Sequence, residues 1–253
     1  MTGSLVLLRH GQSTWNELNI FTGWHDVPLS ATGVEEARQA GRTMHEAGLH
    51  FDAGHTSLLS RAIETSRLAL HELGQDDLEV RRDWRLNERH YGSLQGLNKK
   101  GVTALYGEAQ TEIWRRSFDV APPPIEISNP EHPSNDPQYI ELIGEGFDPA
   151  LLPATECLRD VLARVVPFFE EIVAPQLADN LNVLVTGHGN SLRALFMHLD
   201  GVSPTDIAKV NIPTGVPRLY TFDSNRAIST VEYLGDPKKI AAATHNVSRQ
   251  SSP

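Results

Sequence analysis

The sequence predicts an α/β sandwich with an inserted loop region, and three observations lead there. Strand and helix signals alternate along the chain. Two short all-apolar runs, Leu5-Val6-Leu7-Leu8 and Val183-Leu184-Val185, read as buried strands. No internal repeat or domain-separating linker interrupts the 253 residues.

Each element has its own signal. The 5–8 run stops at Arg9-His10-Gly11, as a buried strand does when it opens into a polar loop. Residues 32–47 predict a helix: Thr32 and Glu35 have capping-box spacing, and Val34, Ala37, Gly41, Met44 and Gly48 fall near one face. A short strand follows at 51–57, then a helix at 59–73 with Ile63, Leu70 and Leu73 among its apolar positions, then a weaker strand at 80–86. Residues 97–118 are polar and helix-permissive. Between 121 and 153 the pattern fails, because Pro122, Pro123, Pro124, Pro130, Pro133 and Pro137 exclude a regular helix or a central strand. Such an excursion is either a lid or binding loop or a plain surface insertion, and composition leaves both open.

Regularity returns at about Thr155, where Leu158, Val161, Leu162, Val165, Phe169 and Ile172 mark the buried face of a helix that Pro167 should kink or split. The strand at 182–186 ends in Gly187-His188-Gly189-Asn190, followed by a helix carrying Leu192, Leu195, Phe196 and Leu199. Residues 218–222 and 228–233 read as a hairpin around Asp223-Ser224-Asn225. The expected organisation is one domain over 1–253, with an irregular Pro-rich insertion at about 119–153 and a tail at about 237–253.

Composition narrows the function. Lys and Arg total 22 against 32 Asp and Glu, a formal charge of −10 that argues against binding nucleic acid through bulk attraction. A small anionic ligand would need a local cluster of cations. Cys157 is the only cysteine, so neither an intrachain disulfide nor a Cys-based zinc cage can form, which fits a reducing compartment. The apolar run before Arg9 is too short for a signal-peptide core or a membrane span. A soluble, cytoplasmic protein without membrane contacts is expected.

In open α/β sheets ligands bind at the carboxyl ends of strands, and both of the best strands here end in a histidine beside glycine. Either histidine alone reads more simply as structural. With the polar cluster Asn87-Glu88-Arg89-His90-Tyr91-Gly92, the two support phosphoryl transfer through a histidine. Neutral imidazole is a competent nucleophile, guanidinium forks match phosphate oxygens, and a carboxylate such as Glu88 can exchange a proton with a substrate hydroxyl. Arg9, Arg61, Lys99-Lys100 and Arg115-Arg116 are the candidate cations. Eleven histidines contain no His-Glu-x-x-His spacing, so a metal hydrolase has little support and no metal is expected.

The motifs then meet a known family. Leu8-Arg9-His10-Gly11-Gln12-Ser13-Thr14-Trp15-Asn16, Phe21-Thr22-Gly23-Trp24, Thr56-Ser57 and Arg61-Ala62 resemble the cofactor-dependent phosphoglycerate mutases of the histidine phosphatase superfamily. So do the Leu86 to Gly92 stretch, Leu94-Gln95-Gly96-Leu97-Asn98-Lys99, Trp114-Arg115-Arg116, the run from His188 to Leu195, and Asn211-Ile212-Pro213-Thr214-Gly215. The likeness covers roughly residues 4 to 236. It implies a three-layer sandwich whose mostly parallel central sheet is flanked by helices. By resemblance, His10 is the phosphorylated nucleophile, His188 stabilises the phosphoryl group in flight, and Glu88 carries the proton. Arg9, Arg61, Asn16 and the Gly189 backbone hold the transferred phosphate, while Ser13, Thr22, Gly23, Tyr91, Lys99, Arg115, Arg116 and Asn190 hold the rest of a phosphoglycerate.

The implied reaction interconverts 3-phosphoglycerate and 2-phosphoglycerate, primed by 2,3-bisphosphoglycerate without a metal, in glycolysis and gluconeogenesis. Relatives of this kind are commonly homodimers or homotetramers. Gln12 stands where the family often has Glu, and Gly187 where it often has Ala. The 144–153 segment looks longer than usual and the last eight residues differ in composition, which bears on any lid. A phosphatase using the same histidine is the nearest alternative, and a non-catalytic phosphometabolite-binding protein the next.

Overall fold

The computed structural model describes residues 3–249. Strands β1 (Ser4–Arg9), β2 (Ala53–Thr56), β3 (Val80–Arg82), β4 (Val183–Gly187), β5 (Pro217–Phe222) and β6 (Ile228–Tyr233) form one sheet in the order β3-β2-β4-β1-β5-β6. The helices are α1 (Thr14–Glu17), α2 (Ala31–Glu46), α3 (Ser60–Leu73), α4 (Lys99–Tyr106), α5 (Glu108–Arg116), α6 (Pro137–Gly144), α7 (Leu158–Phe168), α8 (Ala174–Ala178), α9 (Gly189–Asp200) and α10 (Pro237–Arg249). Strands β3, β2, β4 and β1 run parallel, and the β5–β6 hairpin adds two antiparallel strands beside β1.

The pleat divides the core into two layers, as the expected sandwich requires. Leu5, Leu7, Val183, Val185 and Tyr220 meet Val161, Val165 and Phe168 of α7 and Leu195 and Phe196 of α9. Val6, Leu8, Leu184 and Leu219 point the other way, onto Ala40 and Met44 of α2 and Ala69, Leu70 and Leu73 of α3. Burial on both faces explains why the two central strands read as unbroken apolar runs. No described helix is long and apolar enough to cross a membrane.

Local chemistry moved several expected boundaries. Ser30, not Thr32, caps α2: its Oγ accepts from Gly33 N at 3.1 Å. The strand expected at 80–86 ends at Arg82, because Asp83 accepts from Arg85 N and starts a 3-10 turn over Trp84–Leu86. The helix expected from Thr155 begins at Leu158, where the Asp160 carboxylate takes Cys157 N at 2.8 Å. Pro167 does not split it. The helix continues to Phe168, widens into a π turn over Phe169–Val173, and resumes as α8.

The excursion at 121–153 is not free of helix, contrary to expectation. Pro137 occupies the first turn of α6, where a missing N–H costs nothing, and Asp136 caps it through Gln138 N at 2.9 Å. Tyr139 of α6 packs with Trp24, Leu58 and Leu152 in a separate apolar cluster, its ring 4.9 Å from that of Trp24. The tail expected at 237–253 is helical over Pro237–Arg249, and 250–253 lie outside the described residues.

Candidate active site

The site grows from strand register. Arg9 at the end of β1 pairs with Gly187 at the end of β4, so the next residues, His10 and His188, stand side by side with ring centroids 4.9 Å apart. His10 N donates to Gly187 O at 3.0 Å, which joins the two strand ends directly. Gly11 passes against the backbone of Gly33 at the start of α2, and a Cβ at either position would run into main-chain atoms.

His10 is buried, and its Nδ1 lies 2.6 Å from Gly11 O. A carbonyl can only accept, so the ring proton sits on Nδ1 and Nε2 keeps its lone pair. Burial, then the Arg61 and Arg9 charges, holds the His10 pKa well below its ordinary value, so the ring is neutral at physiological pH. His188 is likewise pushed well down by burial and Arg61, and its Nε2 is 2.7 Å from Ser57 Oγ, just past the end of β2.

The third cluster closes on the first two. Glu88 Oε1 accepts from Arg89 N at 2.8 Å, Asn190 N at 3.0 Å and Asn190 Nδ2 at 2.9 Å. Three donors on one oxygen leave Oε2 as the atom open to the cavity. Asn190 also reaches the Tyr91 hydroxyl at 3.2 Å, and its Oδ1 takes Arg193 Nη1 at 3.1 Å.

These groups line a cavity of about 100 Å³. Arg9, His10, Asn16, Thr22, Gly23, Arg61, Glu88, Tyr91, Lys99, Arg115, Arg116, Gly189 and Asn190 all reach it, so five of the six candidate cations converge on one place, while Lys100 is exposed and does not line it. Arg61 is oriented by two carbonyls, Gly23 O at 2.8 Å and His25 O at 2.9 Å, and Arg9 by Ile212 O at 2.6 Å. Burial, then the Arg115 and Arg9 charges, lowers the half-buried Lys99 to about 7.

Two expected residues stand behind the lining. His188 is fully buried beside His10, and Ser13 caps α1, its Oγ accepting from Asn16 N at 3.1 Å while Asn16 Oδ1 accepts from Ser13 N. Sequence reading missed Arg193, a sixth cation on the cavity, although it sits one helical turn after Asn190 and that spacing could have revealed it. It also missed Val247 of α10, which lines the same cavity. Among the described residues, no three His, Cys, Asp or Glu are grouped to hold a metal.

Comparison with known proteins agrees with this geometry. The profile of the histidine phosphatase superfamily (branch 1) matches residues 5–132 and 127–231. The 2,3-bisphosphoglycerate-dependent phosphoglycerate mutase of Xylella fastidiosa (strain 9a5c) is 50% identical over 250 residues, covering 99% of this chain and 98% of that protein. Its counterpart in strain M23 is 49% identical over the same span. Among solved structures, a mycobacterial glucosyl-3-phosphoglycerate phosphatase shares the fold at TM-score 0.66 and 24% identity, covering 92% of this chain and 97% of that one. The alpha-ribazole phosphatase of Shigella flexneri does so at TM-score 0.65 and 21% identity, with 92% and 96% covered. With the family profile matched along most of its length and half its residues shared with these mutases, the chain belongs to the histidine phosphatase superfamily and, within it, to the 2,3-bisphosphoglycerate-dependent phosphoglycerate mutase family.

Proposed function

We propose that the protein interconverts 3-phosphoglycerate and 2-phosphoglycerate through a phosphohistidine at His10. The observation that carries this reading is that Lys99, Arg115 and Arg116 line the same cavity as His10 and Glu88. A histidine phosphatase needs a nucleophile, an acid and cations for one phosphate. Further cations suit a ligand that also carries a carboxylate and a second phosphate.

His10 attacks through Nε2, its tautomer fixed by the Gly11 carbonyl. Arg9, Arg61, Asn16 and the Gly189 backbone hold the moving phosphoryl group, and His188 stabilises it in flight. Glu88 gives and takes the proton of the substrate hydroxyl at Oε2, since Oε1 is occupied by three N–H donors. Thr22, Gly23, Tyr91, Lys99, Arg115, Arg116 and Asn190 bind the rest of the phosphoglycerate, and Ser13 contributes by holding Asn16. Bound 2,3-bisphosphoglycerate would supply the phosphoryl group that loads His10. The donor set fits such a polyanion: Arg9 Nε, Thr22 Oγ1 and Arg193 Nε belong to cavity-lining residues and are buried without a protein partner. Val247 of α10 stands on the same cavity, where an apolar side chain helps keep water from a phosphohistidine.

The deciding experiment incubates the purified protein with 3-phosphoglycerate, with and without catalytic 2,3-bisphosphoglycerate. Formation of 2-phosphoglycerate that depends on the bisphosphate is expected. Release of inorganic phosphate without 2-phosphoglycerate sinks the mutase reading and leaves a phosphatase.

A further inference from the structure

Glu88 lies in an irregular stretch, where neither a helix nor a sheet ladder fixes the backbone. Its main chain is nevertheless heavily pinned from one side. Arg164, on the buried face of α7, is 7% exposed and uses all five of its N–H donors. Nη1 donates to Arg85 O at 2.6 Å and Asn87 O at 3.0 Å, and Nη2 to Glu88 O at 3.0 Å. The remaining two go to Glu156, Nε to Oε1 at 2.7 Å and Nη2 to Oε2 at 2.9 Å. Glu156 is also buried and completes the clasp: its Oε2 accepts from His90 N at 2.8 Å, and its own N donates to His90 O at 2.9 Å. Trp24 Nε1 adds a second donor to Glu88 O at 2.5 Å.

Burying an ion pair costs desolvation, so its presence is a poor argument for stability alone. Here the directions are informative. Every donor of Arg164 that does not bind Glu156 reaches a carbonyl between residues 85 and 88, and Glu156 takes the amide of residue 90. The whole arrangement constrains one short loop with Glu88 near its middle. Neither side chain lines the cavity, so any effect on the reaction passes through that loop.

We infer that Arg164 and Glu156 are a positioning pair that fixes the backbone of Glu88 so that its Oε2 meets the substrate hydroxyl at proton-transfer distance. This rests on the reading of Glu88 as the proton carrier. A point cation at 164 cannot serve three carbonyls and a carboxylate in one plane, whereas a guanidinium can. A shift of about 1 Å in a reacting group costs on the order of a hundredfold in rate.

The test is a double-mutant cycle on the full-length protein, read as kcat and KM for 3-phosphoglycerate with saturating 2,3-bisphosphoglycerate, per mole of folded enzyme. R164K keeps the charge and should lower kcat about 10- to 100-fold while leaving KM within about twofold, since the cations that bind substrate are untouched. In an E88Q background the same change should cost less than about threefold, because the group being positioned is already gone. The paired variant R164M/E156L, which leaves no lone buried charge, covers the case in which R164K folds poorly, and the same pattern is expected of it. An equal kcat loss in the wild-type and E88Q backgrounds, or a KM that rises in step with the loss of kcat, overturns the inference. Wild-type protein that makes no 2-phosphoglycerate overturns the underlying reading instead, so the two failures are told apart by the control.

Discussion

Lys99 offers the sharpest test of the site's electrostatics. With burial first and the Arg115 and Arg9 charges next, its pKa falls from 10.5 to about 7. A phosphate or carboxylate beside it reverses both causes, since it replaces lost solvation and neutralises the neighbouring cations. Binding of 3-phosphoglycerate above pH 7 should therefore take up a proton at Lys99. Affinity should be greatest below pH 7 and should fall as pH rises. Between pH 7 and pH 9 the protonated fraction of free-site Lys99 drops from about one half to about one hundredth. If the bound lysine regains its ordinary value, Kd weakens about fiftyfold over that interval, or about 2 kcal/mol. Substrate ionisation does not produce this slope, because the second phosphate pKa of about 6 lies below the window. Calorimetric titration with 3-phosphoglycerate at pH 7, 8 and 9, in buffers of different ionisation enthalpy, reads both the Kd and the protons taken up. K99R, which stays charged, should flatten the dependence, and K99M should bind weakly at every pH. A wild-type Kd that is constant from pH 7 to 9, or K99R with the wild-type slope, refutes the reasoning.

Two further outcomes follow from single contacts. Ser57 holds the His188 ring at Nε2, so S57A should lower kcat about tenfold or more with KM for 3-phosphoglycerate nearly unchanged; a rise in KM alone would mean that Ser57 serves binding instead. Gly33 packs with its α-carbon against the Gln12 backbone and Gly11, which leaves no space for a methyl, so G33A should cost about 1–3 kcal/mol in urea denaturation and an unchanged midpoint would contradict the packing.

How far the sequence could be read depended on the range of the physics involved. The central strands were legible because burial on both faces leaves an apolar run that needs no partner to be recognised, and the histidines were legible because they stand where those runs end. The five cations could be named from their motifs, but their convergence is a tertiary fact: Lys99, Arg115 and Arg116 sit on α4 and α5, far in sequence from His10. Caps were misplaced because Thr32 and Ser30 both have side chains fit for the role, and only the backbone geometry selects Ser30. Helix α6 is hidden in a proline-rich stretch because proline breaks a helix interior, whereas Pro137 in a first turn is neutral to helix formation. Arg164 and Glu156 carried no signal at all. Arg164 on α7 and Glu156 just before that helix read as ordinary polar residues, and only the fold shows that their hydrogen bonds converge on the Glu88 loop.

The −10 charge and the cationic cavity belong to one electrostatic arrangement. Outside the site some of the carboxylates meet partners locally, as Glu35 and Glu72 do with Arg42, Glu64 with Arg67, and Asp83 and Glu171 with Arg85. Inside it, Arg9, Arg61, Lys99, Arg115, Arg116 and Arg193 share a cavity with one carboxylate among the described residues, Glu88. Cations pressed together in a buried place relieve their repulsion in one of two ways, by losing a proton or by gaining an anion. Lys99, lowered to about 7 by burial first and the Arg115 and Arg9 charges next, is poised for the first response. A ligand with two phosphates and one carboxylate, about −4 to −5 in all, supplies the second. A single inorganic phosphate leaves most of the excess uncompensated. The arrangement thus favours the bisphosphorylated species of the proposed reaction over its fragments, and it attracts through local charge a ligand that the whole molecule, seen from a distance, repels.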